Sequence, residues 1–196
     1  MVTFGPSGPS ALKEMVVKKL QKNEGFTLIE LLIVVAIIGI IAAIAIPGLL
    51  RARMSGNETS AIGGMRAINT SEVSYSSACG NGAYAVLFAT LGTPPMGGTQ
   101  GFLSEDLSRA AGGESPQKSG FTYSLAAGAG AAAGPADCNT TPTNVTFYAT
   151  AFPTSWAQTG NRAFATSAAG AVWQNVATVA PPPQPFTPSA TISVIQ

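Results

Sequence analysis

The sequence of 196 residues contains no histidine and only two cysteines, Cys79 and Cys138. The absence of histidine removes the commonest general base and the commonest metal ligand. Two thiols cannot build a four-thiolate zinc site, and a nucleophilic cysteine would lack a histidine partner. The composition therefore predicts a protein that is not an enzyme and that holds no metal ion or cofactor.

Charge is also scarce, since only 10% of the residues are charged, with 10 basic and 9 acidic side chains. Four lysines and two glutamates lie before Phe26, which leaves six basic and seven acidic residues from there to the end of the chain. A nucleic-acid-binding domain usually carries a clustered basic surface. This balance indicates no nucleic acid partner.

The chain contains one long apolar segment, residues 26–50, which is interrupted only by Thr27 and Glu30. From Leu31 to Ile46 there is no polar side chain. A helix rises about 1.5 Å per residue, so 25 residues can cross a hydrocarbon core of about 30 Å. The segment predicts a single membrane-spanning helix.

The flanking charges predict the orientation of that helix. Lysines precede it and two arginines follow it closely: Lys13, Lys18, Lys19 and Lys22 before, Arg51 and Arg53 after. Loops rich in Lys and Arg stay in the cytoplasm. We therefore expect a single pass through the inner (cytoplasmic) membrane, with the N-terminus inside.

The start of the apolar segment resembles the type IV pilin and type II secretion pseudopilin family. The residues that carry the resemblance are Gly25-Phe26-Thr27-Leu28-Ile29-Glu30, the apolar run and Pro47. The resemblance implies that residues 1–25 are a leader, which begins at Met1 or Met15. It also implies that a prepilin peptidase cleaves between Gly25 and Phe26, and that the new amino group of Phe26 is methylated.

Glu30 is a carboxylate placed inside an apolar run, where an unpartnered charge costs several kcal/mol. After cleavage the nearest cation would be the ammonium of Phe26, in the same chain or in a neighbouring copy. The two are four positions apart in the sequence, so a helix would bring them to one face. The pattern predicts that Glu30 is the charge that sets subunit register during assembly.

Two other interpretations of this segment stay open. Glu30 could be a polar residue near the membrane interface whose side chain reaches water. The whole segment could instead be a secretory signal peptide, with Ala43-Ile44-Ala45 as its cleavage site.

The rest of the chain predicts an α+β fold in which one long helix, from about Phe26 to Ser77, packs on a small antiparallel sheet. Pro47 and Gly48 predict a kink between the membrane half (26–50) and an amphipathic half (51–78). In that second half the apolar periodicity runs through Ile62, Met65, Ile68, Glu72 and Tyr75, while Glu58 is assigned to the polar face.

Beyond the helix we expect a loop region at 79–120, with one helical candidate at 101–107, followed by a sheet region at 121–180. Three or four strands are expected there, over 121–125, 145–152, 162–166 and 171–176, with a hairpin turn at 167–170. Residues 181–196 are predicted to form a stiff, Pro-rich tail. The sequence does not decide whether residues 191–195 form a further strand.

Cys79 and Cys138 lie outside the membrane in this topology, where a disulfide is the expected state. Two free thiols or an intermolecular bond are the alternatives.

The resemblance implies a structural subunit of a type IV pilus that assembles with copies of itself and with other pilins. It implies contact with prepilin peptidase and an inner-membrane assembly platform, and with membrane lipid before assembly. The final location would be an extracellular pilus or a periplasmic pseudopilus. A pseudopilin of a type II secretion system and a minor pilin acting as a membrane-anchored binding or priming module remain alternatives.

Overall fold

A computed structural model describes residues 25–108 and 115–195 of the chain. The chain divides into two compact units, Met1–Pro47 and Gly48–Gln196. The expected leader lies outside the described residues except for Gly25.

Helix α1 spans Leu28–Ala78, which confirms the long helix expected from about Phe26 to Ser77. Its apolar part is long and hydrophobic enough to cross a membrane, and none of its most apolar 18-residue window is buried within the chain. Large apolar side chains from Phe26 to Leu50 are 45–79% exposed. This segment therefore has no packing partner among the described residues of its own chain.

In the second unit, one face of α1 is buried at three- and four-residue intervals. Its buried residues are Glu58, Ala61, Gly64, Met65, Ile68, Ser71, Glu72 and Tyr75. The predicted apolar periodicity is confirmed except at Ile62, which is only partly buried. The assignment of Glu58 to the polar face was wrong, because its carboxylate pairs with Arg162 beneath the helix.

Within the described residues the sheet has six strands, all antiparallel and in sequence order. The strands are β1 (Gln117–Lys118), β2 (Phe121–Ala127), β3 (Phe147–Pro153), β4 (Ala163–Ser167), β5 (Val172–Asn175) and β6 (Ile192–Val194). The four predicted strands correspond to β2–β5. The expected count of three or four was too low, because β1 lies in the predicted loop and β6 in the predicted tail.

Alternation along the strands places large side chains on the face that packs against α1. Phe121, Tyr123, Phe147 and Phe164 are fully buried there, in one cluster with the apolar face of the helix. The predicted hairpin turn between β4 and β5 is confirmed, and Gly170 adopts a φ of 83° in it.

Two short helices, α2 (Phe88–Gly92) and α3 (Glu105–Ser108), lie in the loop region. The helical candidate at 101–107 corresponds in part to α3, whereas α2 was not predicted.

The Pro-rich segment after β5 lies against the sheet, on the face opposite α1. The hydroxyl of Tyr148 donates to the carbonyl of Pro182 at 2.6 Å, and Phe186 stacks on Trp173 with ring centroids 5.4 Å apart. The description of residues 181–196 as a stiff extended tail was therefore incomplete.

Candidate assembly segment

Thr27 precedes the first residue of α1 and is the N-cap of this helix. The Thr27 hydroxyl oxygen accepts a hydrogen bond from the backbone N–H of Glu30 at 3.2 Å, and the hydroxyl donates to Glu30 Oε2 at 3.4 Å. This is a variant of the Thr-x-x-Glu capping box, in which the N-cap side chain satisfies the third helical amide. A carboxylate in the first turn also interacts favourably with the helix dipole.

Glu30 thus has a local structural role that the sequence interpretation missed, although the Thr27-x-x-Glu30 spacing signals it. The expectation that Phe26 and Glu30 share one helix face depends on helical geometry at Phe26. In this chain Phe26 and Thr27 precede the helix, and Phe26 is 79% exposed. A shared helix face for these two groups stays a prediction.

Pro47 lies inside α1, and the helix continues on either side of it. Proline has no N–H to donate to the carbonyl of Ala43, and Gly48 follows with no atom within 4 Å of a Cβ placed on it. A kink or local unwinding at Pro47 and Gly48 stays a prediction.

The end of α1 is fixed by a disulfide between Cys79 and Cys138, whose Cα atoms are 4.8 Å apart. Beside it the hydroxyl of Tyr75 donates to Asp137 Oδ2 at 2.8 Å. Asp137 also accepts hydrogen bonds from the backbone N–H groups of Asn139 and Thr141. It therefore links the loop that contains it to the helix. Burial is the main cause that raises the pKa of Tyr75 above its ordinary range, with the neighbouring carboxylate as the second cause.

Two further carboxyls lie under α1 in contrasting environments. Glu58 Oε2 accepts from Arg162 Nε at 2.9 Å and lies 2.8 Å from Nη2, and Glu58 Oε1 accepts the backbone N–H of Asn161. Glu72 is fully buried, and its Oε2 accepts the backbone N–H of Ala85 at 3.0 Å. Its Oε1 has no hydrogen-bond partner among the described residues. Burial raises the pKa of Glu72 to about 8, so the group is mostly protonated at neutral pH.

Among the described residues there is no group of three or more His, Cys, Asp or Glu side chains that could hold a metal ion. The polar groups described above cap the helix, form an ion pair and anchor loops.

Comparison with known proteins supports the interpretation of the N-terminus. Residues 20–46 match the family described as the prokaryotic N-terminal methylation motif. The type IV major pilin protein of Myxococcus xanthus is 48% identical over 54 residues, which is 28% of this chain and 24% of that protein. The type IV wide pilus major component of Thermus thermophilus is 60% identical over 40 residues, which is 20% of this chain and 30% of that protein.

The matches thus cover less than a third of either relative, and no solved structure matches this chain. The N-terminal segment of this chain is thus similar to that of type IV pilins. An α+β fold with a long N-terminal helix and an antiparallel sheet is consistent with that family.

Proposed function

We propose that this chain is a structural subunit of a type IV pilus, cleaved after Gly25, methylated at Phe26 and assembled through the first half of α1. The observation that carries the proposal is the segment from Phe26 to Leu50. It is a helix start followed by 20 or more apolar residues that are exposed on every side and contain one carboxyl, Glu30. A surface of this kind is stable only in lipid or against other helices.

Before assembly, lipid covers the apolar segment. In the filament, the corresponding segments of other copies cover it, and the sheet unit lies outside. Apolar packing supplies the adhesion, while the pairing of Glu30 with the methylated ammonium of Phe26 sets the axial position. A buried carboxylate left without its partner is strongly destabilising, so a wrongly placed subunit is disfavoured.

A direct test separates the charge of Glu30 from its capping role. The Glu30→Gln variant keeps a side chain of the same shape but has no charge to pair with the ammonium. Thr27→Val is the matched variant, because it keeps the charge of Glu30 and removes the hydroxyl that caps the helix. We expect Glu30→Gln to be cleaved normally but to yield few filaments, and Thr27→Val to assemble.

Filament yield in sheared surface fractions is the measurement, beside the amount of processed chain in the membrane. If Glu30→Gln assembled as the unmodified chain does while Thr27→Val did not, Glu30 would act through the helix cap and the proposed charge pairing would be wrong.

A pseudopilin of a type II secretion system is the second candidate, since the same cleavage and helix chemistry serve both. The two curated relatives are pilus components, which favours the pilus. A minor pilin that primes or caps the filament is a third candidate. The acid at Glu30 favours a subunit of the filament body, because it provides the register charge that every body subunit needs.

A further inference from the structure

We propose that a cleft beside the start of the second unit binds the phosphodiester headgroup of a membrane phospholipid, with Arg51 as the cation that attracts it. The inference rests on the membrane anchoring in the proposed function and adds to it a specific site for one lipid molecule.

The cleft has a volume of about 350 Å³ and lies between α1 and the sheet. Helix α1 contributes Arg51, Met54, Ser55 and Glu58, which recur at the three- and four-residue spacing of one helix face. The opposite wall consists of Asn161, Arg162 and Val176, which lie just before strand β4 and just after strand β5.

The charges of the cleft do not cancel. Glu58 and Arg162 neutralise one another through contacts of 2.8 and 2.9 Å, and Arg162 Nη1 also donates to Gln174 at 2.9 Å. Arg51 is exposed and forms no ion pair or hydrogen bond with any residue that the structure describes. The cleft therefore carries one net positive charge, which favours an anion.

Neutral donors stand beside that charge. Within the described ranges, the side-chain amide of Asn161 makes one hydrogen bond, which it donates to the sulfur of Met54 at 3.9 Å. Ser55 adds a hydroxyl. A guanidinium with an amide and a hydroxyl suits the two free oxygens of a phosphodiester, which accept but do not donate hydrogen bonds.

The remaining lining is apolar and at least partly exposed. Val176 is 46% exposed, and Met54 is partly buried next to it. A dissolved phosphate ion would gain nothing from these side chains. The glycerol backbone and the first acyl carbons of a phospholipid would cover them, so the lining favours a lipid over a free anion.

The position of Arg51 in the sequence favours the same ligand. It follows directly on Leu50, the last residue of the apolar segment, and thus emerges where that segment leaves the hydrocarbon layer. Headgroup phosphates are concentrated at that level, and anionic lipids attract nearby arginines by roughly 1 kcal/mol each.

The experiment uses the full chain, reconstituted in phosphatidylcholine vesicles that contain phosphatidylglycerol with a photoreactive headgroup. After illumination, mass spectrometry maps the cross-linked peptides. We expect cross-links on the peptides that contain Arg51–Ser55 and Asn161. We expect Arg51→Gln to lower that yield about tenfold, which corresponds to about 1.4 kcal/mol.

Arg53→Gln is the matched control, because it removes an equal charge two residues away, from a side chain that does not line the cleft. It should leave the yield nearly unchanged. An equal loss in both variants would show surface charge attraction without a site. Cross-links confined to the apolar segment, or full displacement by soluble glycerol phosphate, would also overturn the proposed lipid site.

Washing the same vesicles with alkaline carbonate separates this proposal from the one it rests on. A chain that stays in the membrane but is not cross-linked at the cleft would overturn the lipid site alone. A chain that washes off would contradict the membrane anchoring, and with it both proposals.

Discussion

At the scale of single residues, the second unit places two glutamates of one helix face in opposite electrostatic situations. Glu58 is paired with Arg162. The Glu58 side chain is 10% exposed, and the Arg162 side chain is 34% exposed. Glu72 is fully buried and meets no cation that the structure describes; the neighbouring titratable groups are Tyr75 and, beyond it, Asp137. The same residue type is therefore an ion-paired carboxylate at one position and a buried neutral acid at the other.

Replacing Glu72 by glutamine should remove a pH dependence of stability. The pKa of Glu72 is raised from 4.5 to about 8, so the folded state binds the proton more tightly than the unfolded state. The contribution of this proton to the free energy of unfolding is complete below pH 4.5 and is lost as the pH rises towards 8. The difference corresponds to at most roughly 5 kcal/mol. We expect the melting temperature of the chain in detergent to fall over this interval, and that of Glu72→Gln to fall much less.

The comparison is made at pH 5 and pH 8.5 by circular dichroism, with Glu58→Gln as the control that keeps Glu72. Parallel melting curves for the unmodified chain and Glu72→Gln at both pH values would contradict a protonated Glu72.

Breaking the ion pair between Glu58 and Arg162 should destabilise the fold at neutral pH. Glu58→Gln retains an acceptor for the N–H of Asn161 but loses the charge that faces Arg162. Because the pair is partly buried, we expect a loss of about 1–2 kcal/mol. A double-mutant cycle with Arg162→Gln, measured by thermal unfolding at pH 7, gives the coupling energy. A coupling energy near zero would mean that the pair contributes nothing to stability.

At the scale of elements, the sequence predicted those that are long and strongly patterned. Helix α1 was predicted because 25 apolar residues and a following three- to four-residue periodicity admit no other regular structure. β1 and β6 have two and three residues, too few to establish an alternation. α2 has five residues and no side-chain hydrogen bond at its N-cap, so it gave no start signal.

The functional residues were also predictable only in part, namely where they form a local sequence motif. Gly25, Phe26 and Glu30 were proposed from the sequence because they form a dense local motif, and their roles stay predictions. The pairing of Glu58 with Arg162 joins residues 104 positions apart, and no local pattern encodes such a distance. The burial of Glu72 followed from its place in the periodicity, whereas its raised pKa depends on how completely the surrounding elements desolvate it.

Two adjacent glycines of α1 give a matched test of how the helix packs on the sheet. A Cβ at Gly64 would lie 2.7 Å from the hydroxyl oxygen and 2.9 Å from Cε1 of the fully buried Tyr123. A Cβ at Gly63 would meet nothing within 4 Å. We expect Gly64→Ala to destabilise by about 1–3 kcal/mol through overpacking, and Gly63→Ala to stabilise by up to about 1 kcal/mol through helix propensity.

Thermal unfolding of both variants in detergent, where filaments do not form, is the measurement. Equal effects of the two substitutions would contradict the close approach of α1 to β2.

At the scale of the whole molecule, the described residues combine one unit without a core of its own and one unit with a compact core. In the second unit the Cys79–Cys138 disulfide closes a loop with a sequence separation of 59 and joins the end of the helix to the loop before β3. This crosslink ties the helix to the sheet unit.

Removing the disulfide should lower the stability of the second unit. On the chain-entropy account, closing a loop of this length contributes about 4 kcal/mol. We expect the double variant Cys79→Ser/Cys138→Ser to melt at a lower temperature, and the reduced unmodified chain to match it. A variant as stable as the oxidised chain would show that the crosslink is not needed once Tyr75 and Asp137 have formed their hydrogen bond.

The central claim is that the chain is cleaved after Gly25 and assembled into an external filament. Intact-mass analysis of the chain from sheared surface filaments, beside the membrane fraction, tests it most directly. We expect a chain that begins at methylated Phe26 in the sheared material. The same mass in membranes alone would indicate a pseudopilus or a minor subunit. A chain that begins after Ala45, or that retains Gly25 in every fraction, would contradict the account.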